Sequence, residues 1–273
     1  MSDTPPAPAP VYRTSLGTST ADTISLLGHD LAGDLMGHVG FGELALWLVT
    51  GARPQPGEVA VFEAVLVALA DHGFTPTAIA ARLTYLSAPD SLQGALAAGL
   101  LGGGSRFLGV TEDTGTWLAA ALADAGPDGV PADDDEAGWD ALARDGVTAT
   151  RAAGRFVPGL GHPVHKVADP RTPRLVAIAT ENGTLGPHLR LFQAVGRVAP
   201  EVLGRTLPLN GAGVCGATLA DLGVPLPMLR GVALLARAAG LLGQLAEEHR
   251  DPVGMDVYLS VDRNAVYVPR SER

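Results

Sequence analysis

Residues 161–175 read GHPVHKVADPRTPRL. Two histidines, an aspartate, two arginines and the one lysine of the chain, Lys166, fall within these fifteen positions. His162 follows a glycine-rich turn, and Pro163 restricts the backbone beside it. Asp169-Pro170-Arg171 then reads as a helix start, with Asp169 as cap and proline in the first turn. That places Arg171 near His162. An imidazole and a guanidinium beside loop N–H groups suit a carboxylate ligand, because the guanidinium fork matches two carboxylate oxygens. A capped surface loop that merely carries charges is the other reading, and the residues alone leave both open.

Three further residues could contribute. His72, in ADHGF, ends a helical pattern just before Gly73; a histidine there can serve a site or simply meet the negative end of the helix dipole. Arg237, in LLARAAGLLG, is surrounded by apolar and small residues. It either faces inward to a ligand carboxylate or runs its stem along the surface to water. Arg250, in EEHRDP, is ambiguous in the same way.

The elements that must position these groups are helical. Apolar residues recur at helical spacing over 41–49, 58–71, 75–86, 91–101, 114–125, 139–155, 174–181, 189–198, 213–222 and 225–248. The stretch 91–101 is rich in Ala and Gly and suits close helix packing. Period-two alternation is nearly absent, VYLSVD at 257–262 being the weak exception. The fold class is therefore all-α.

Composition bounds the function. The 273 residues are 47% hydrophobic and 18% charged, which allows a large core. A net charge of −10 argues against nucleic acid, whose phosphates require a basic face. A lone cysteine, Cys215, permits no intrachain disulfide and points to a reducing, cytoplasmic setting. The Pro-rich start, residues 1–12, lacks the apolar core of a secretory signal and reads as a disordered leader. Uncharged runs are too short and glycine-rich to span a bilayer, so no membrane role is expected.

Four segments occur together and in order: ADHGF, GLGHPVHKVADPR, LNGAGVCGATLADLGVP and LLARAAGLLGQLAEEHRDPVG. With LMGHVGFGELALWLVTGARP near the start, they resemble the citrate synthase superfamily over roughly residues 13–255, most of all its short citryl-CoA lyase-like members and the lyase module of ATP-citrate lyase. The resemblance implies a helical homodimer with a large domain (13–110 and 225–273), a small domain (111–224) and a cleft between them. By position it assigns His162 to the substrate oxygen and His72 to a substrate carboxylate or carbonyl. Arg171 and Arg237 would hold carboxylates, and Arg250 would reach the partner subunit's site. Lys166 and Gly161 would touch a coenzyme A thioester, and no metal is implied.

Two departures from that family matter. Its catalytic histidine loop is replaced by LLGGGSRFLGV, with no histidine between His72 and His162. The lyase module also lacks that histidine. The family's proton-transferring aspartate is replaced by Ala212, and alanine cannot act as a base. The expected activity is retro-Claisen cleavage, or formation, of a C–C bond in a 3-hydroxy-carboxyacyl-CoA, with the proton source left open between water and a carboxylate such as Glu112 or Asp113. The alternative is a non-catalytic homologue that binds acyl-CoA or a di- or tricarboxylate as a sensor or partner subunit.

Overall fold

The structure is a computed structural model and describes residues 11–162 and 165–270. Most of the expected leader, and Pro163 and Val164 of the histidine loop, lie outside the described residues. The chain divides into two compact units that meet at Pro54/Gln55.

The first unit carries a small antiparallel meander: β1 (Gly17–Ser19), β2 (Ile24–Leu26) and β3 (His29–Asp30). The β2–β3 hairpin closes through Leu27 and Gly28, both at positive φ (52° and 82°), the geometry whose twist matches the flanking strands. Two or three residues per strand are too few to leave an alternating pattern, so these strands were absent from the sequence expectation. One π-helical turn (Leu31–Leu35) and α1 (Phe41–Thr50) follow, and α1 ends at a left-handed Gly51 as its sequence implied. Trp47 is covered edge-on by His29 and over one face by Arg53, which also pairs with Glu43 at 3.0 Å.

The second unit holds α2 (Pro56–Ala70), α3 (Pro76–Ser87), α4 (Leu92–Leu101), α5 (Val110–Ala125), α6 (Glu136–Ala152), α7 (Arg171–Glu181), α8 (Pro187–Leu203), α9 (Gly211–Asp221), α10 (Leu229–Arg250) and α11 (Gly254–Arg263). Helix α2 opens with a reciprocal cap between Gln55 and Glu58, and α3 with Thr75 and Pro76. The small-residue helix α4 does pack closely: Ala95 and Gly99 are buried against α3 and Leu241 of α10. A Cβ on Gly99 would lie 2.7 Å from the Leu241 side chain.

Helix α9 packs against α2, α5, α7 and α8. Residues 213–219 are buried throughout, so α9 shows no polar stripe and its sequence is small and apolar all round. Its N-terminus is fixed by the Asn210 side chain, which accepts from Gly213 N–H at 2.8 Å. Asp221, at its other end, accepts from the N–H groups of Gly186, His188 and Leu189 and from the His188 ring, and so caps α8.

The one expected strand is a correction. Residues 257–262 lie within α11, and Met255, Tyr258 and Val261 form an exposed stripe at helical spacing. Six residues satisfy either period; Asp256 in the first turn and Arg263 in the last suit the helix dipole and decide for helix. By length and composition α10 could cross a membrane, yet it buries Arg237, Gln244 and Glu248 and packs on α2, α3 and α4 as a core helix does.

Candidate active site

A short antiparallel bridge builds the site. Leu160 pairs with Leu209; Gly161 N–H donates to Pro208 O at 2.8 Å, and Asn210 N–H to Gly159 O at 2.9 Å. Gly159 and Gly161 both hold positive φ, about 81°, which a residue with a Cβ adopts only at a cost. A side chain at 159 would also strike Phe192. The Asn210 side chain ties the two strands by donating to Gly161 O at 2.8 Å. The loop therefore delivers His162 beside the start of α9.

Asp169 organises the other wall. Its Oδ1 accepts from the Arg171 N–H and Nε, and its Oδ2 accepts from Arg171 Nη2 at 2.7 Å and from Gly211 N–H at 2.7 Å. Burial alone would raise this carboxyl, but the bonds from Arg171 and Gly211 outweigh it and hold Asp169 at about 2. A Cβ at Gly211 would overlap the Arg171 guanidinium, so a larger residue there would push that side chain off Asp169.

The two arginines share a role in the fold. Arg171 Nη1 donates to Ala68 O at 3.2 Å, and Arg237 Nη2 to Leu69 O at 3.4 Å. These are carbonyls of the last turn of α2, which have no partner within that helix, and cations are favoured there. Helix α10 approaches this helix end closely: a Cβ on Gly240 would overlap the Ala70 carbonyl oxygen.

Arg237 is only 6% exposed, and its Nε has no hydrogen-bond partner among the described residues. Burial pushes its guanidinium below the usual value, Asp71 opposes this, and Arg171 adds to it. The surface-snorkelling reading of Arg237 is thus excluded.

Arg171, Arg237, His72, His162, Asn210, Ala212, Asp113, Arg106 and Phe107 line one cavity of about 600 Å³. Gly161 also lines it; Lys166 and Arg250 do not. Lys166 Nζ instead donates to the His162 carbonyl at 3.1 Å, and Arg250 is exposed at the end of α10. Arg106, Asn210 and Thr111 went unmarked by sequence reasoning. Arg106 directly follows the glycine run GGGS, and Asn210 opens NGAG, so both had a turn signal but no chemical one. Thr111 Oγ1 is buried without a hydrogen-bond partner among the described residues, like Arg237 Nε, and an unsatisfied group facing a cavity calls for a polar ligand.

The histidines form a stack. His72 lies parallel to His162 with centroids 5.3 Å apart, and His165 lies 4.5 Å from His162. Their ligand atoms fall within 4.8 Å of one another, a spacing that could hold a metal ion. However, His162 Nδ1 accepts the His165 N–H at 3.0 Å, so the proton of the neutral ring sits on Nε2 and the ring as placed offers no free lone pair. His162 is held below the usual imidazole value, chiefly by burial and further by His165, His72 and Arg171, against the opposing pull of Asp169. It is thus a neutral N–H donor at neutral pH. The cavity is lined by three guanidiniums (Arg106, Arg171 and Arg237), a donor imidazole and the carboxylate-bearing Asp113. It can grip carboxylates and polarise an oxygen.

Comparison with known proteins supplies the family. The family model "Citrate synthase, C-terminal domain" matches residues 20–255. A citrate synthase of Haloferax volcanii is 25% identical over 220 residues, 76% of this chain and 51% of that protein. The chain thus spans about half the length of that curated relative. The structure of citryl-CoA lyase from Hydrogenobacter thermophilus superposes with a TM-score of 0.82 at 26% identity, covering 97% of each chain. ATP citrate lyase from Methanothrix soehngenii, solved with citrate and coenzyme A, gives a TM-score of 0.77 at 22% identity, with 97% of this chain covering 43% of that one. The chain belongs to the citrate synthase family, and its helical fold is that of the citryl-CoA lyase.

Proposed function

We propose that the protein is a citryl-CoA lyase-like enzyme that cleaves, or forms, a C–C bond in a 3-hydroxy-carboxyacyl-CoA. The observation that carries this is the convergence of His72, His162, Arg171 and Arg237 on one cavity, Arg171 held in place by its ion pair with Asp169 and Arg237 without a carboxylate in salt-bridge range among the described residues. Arg171 and Arg237 bind the carboxylates of the hydroxyacid unit. His162 donates to the oxygen on the carbon that is to be cleaved. In the cleavage direction that hydroxyl gives up its proton to an imidazole of the stack. Its oxygen becomes a carbonyl, the adjacent C–C bond breaks, and the electron pair stays on the acyl-CoA fragment as an enolate. The enolate then takes a proton at carbon.

Ala212 cannot supply that proton. Of the two carboxylates at the start of α5, Glu112 is held by Arg230 at 2.7 Å, while Asp113 lines the cavity with no hydrogen bond or ion pair on its carboxylate among the described residues. Asp113 is the proposed proton carrier. The coenzyme A arm is assigned to the adjoining cleft of about 420 Å³, where Arg151, Arg155 and Arg205 gather beside Phe156 and the loop that ends at Gly161. Three guanidiniums in so acidic a chain suit phosphates better than Lys166, whose ammonium is spent on the loop backbone.

The large and small domains, 13–110 with 225–273 and 111–224, remain the proposed hinge-bound lobes, and the cavity is lined from both. A homodimer in the cytoplasm is part of the same reading. Gly231 and Gly243 on α10 face open space, and Leu101 and Leu242 are exposed, which leaves an apolar face for a second copy and for Arg250 to reach it.

The second reading is a non-catalytic binder of acyl-CoA or a di- or tricarboxylate, and Ala212 together with the histidine-free loop at 105–107 favours it. One experiment separates the two. Citryl-CoA is incubated with the protein and oxaloacetate is followed through coupled NADH oxidation, alongside melting curves with citrate and with coenzyme A. Turnover establishes the lyase. A melting shift without turnover establishes the binder, and neither signal rejects both.

A further inference from the structure

Beyond the cavity, a polar chain runs from the buried Arg82 of α3 through the buried Gln244 of α10 to Asp71, an exposed residue beside His72. Arg82 is 2% exposed, which is unusual for so large a cation. It donates from Nη1 to Glu248 at 2.9 Å and from Nε to Gln244 Oε1 at 2.8 Å, and it pairs with Glu247. The Gln244 amide then donates from Nε2 to Asp71 Oδ1 at 2.9 Å. Asp71 Oδ2 in turn accepts the Gly73 N–H at 2.8 Å. The amide of Gln244 is thus used at both ends, accepting from a cation and donating to an anion.

We infer that Arg82, Gln244 and Asp71 form a positioning relay that sets the 71–73 turn and so aims His72 at the cavity. The reason is geometric. Asp71 has extended backbone, φ −137° and ψ 158°, so successive side chains point to opposite sides. With the Asp71 carboxylate pulled back onto α10 by Gln244, His72 is turned the other way, onto His162. The same carboxylate faces Arg237 and partly offsets its charge in the buried wall. Gln244 sits two turns after Arg237 on α10, with Gly240 between them, so one helix face carries both the ligand-binding cation and the relay. The far end is fixed as well: Glu248 accepts the N–H groups of Val253 and Gly254, which clamps the α10–α11 turn to Arg82. The buried members of such a network, Arg82, Gln244 and Glu248, specify one geometry only if each is satisfied.

The assignment rests on the proposed function for its ligand, so the test has one arm that needs no ligand. Gln244→Leu keeps the volume and removes both hydrogen bonds. In the ligand-free protein it should speed amide exchange of Gly73, read by NMR, at least tenfold. In the second arm, citrate affinity measured by calorimetry should fall about tenfold. Asp221→Ala, which weakens the fold at the start of α8, gives the baseline for a purely structural loss and should leave both readouts unchanged. Gln244→Glu keeps the bond to Arg82 but sets a carboxylate against Asp71, so it should behave like Gln244→Leu. Adding Asp71→Asn to Gln244→Glu reverses donor and acceptor and should restore the Gly73 protection. If Gln244→Leu lowers the melting temperature while Gly73 exchange stays at the wild-type rate, the relay is overturned. If wild type binds no citrate but Gly73 responds as expected, the relay stands and the functional reading falls.

Discussion

Replacing Arg237 by leucine tests the shared anion site most directly. This guanidinium makes two long bonds to neutral groups, 3.3 Å to Thr75 Oγ1 and 3.4 Å to Leu69 O, and its Nε has none among the described residues. Burial disfavours its charge, and only Asp71 opposes that. Its contribution to the apo fold is therefore small, and removing it relieves the repulsion with Arg171. A bound carboxylate would supply the missing acceptor. One charge-assisted hydrogen bond is worth about 1.5–3 kcal/mol, and 1.4 kcal/mol is a factor of about ten. Arg237→Leu should then weaken citrate or oxaloacetate binding roughly ten- to a hundredfold by calorimetry, with the melting temperature unchanged or raised. Arg237→Lys should recover part of the affinity, since a single ammonium cannot reproduce the fork. Unchanged affinity together with a lower melting temperature would refute the argument, because it would make Arg237 a packing residue.

The other expectations concern charge, capping and the lost base. Asp169 falls from 3.8 to about 2 on folding, so it contributes about 2 kcal/mol that is fully present above pH 3.8 and lost as pH falls toward 2. His162 lies below 6.5 in the folded state, so its contribution is complete above pH 6.5 and declines as the solution is acidified through its folded value. Urea denaturation across pH should show both, and Asp169→Asn should flatten the acid limb and lower stability at pH 7. Asp221→Ala strands three N–H groups at the start of α8 and should cost about 3 kcal/mol by urea denaturation, with citrate affinity unchanged. Ala212→Asp should raise lyase turnover at least about tenfold if proton transfer limits the rate. No gain, with weaker citrate binding, would show a pocket rebuilt for another ligand.

The helices were legible because long amphipathic segments repeat their pattern several times, and α2, α3 and α4 begin and end within a few residues of where Pro, Thr and Gly place them. The start of α7 was announced by Asp169 and Pro170, although Arg171 to Pro173 lack apolar periodicity. The start of α5 was less legible: Val110 to Asp113 carry no such signal, and only the packing of Thr111 against the core shows them to be helical. His162 and Arg171 could be joined from sequence because nine positions separate them. Arg237 could not be told from a surface arginine until its helix face was known. Lys166 shares a segment with cavity residues, but sequence proximity does not fix where a long side chain points, and its ammonium turns to the His162 carbonyl. Nothing in the sequence could show that Asp169 spends all its acceptors on Arg171 and the chain around it, which leaves Arg171 oriented and Asp169 useless as a base.

The contact of Gly240 with the Ala70 carbonyl has a consequence for how such a pocket changes over time. Backbone meets backbone there, so the distance between the wall bearing His72 and the wall bearing Arg237 is set by main-chain thickness and not by the size of any side chain. Lining residues such as Ala212 and Arg106 can then be exchanged without altering the width of the pocket. A lineage can drift from one carboxylate substrate to another, or lose its base altogether, while inheriting an unchanged frame. The corresponding vulnerability is concentrated at one methyl group: Gly240→Ala would part the two walls at once, whatever chemistry they carry.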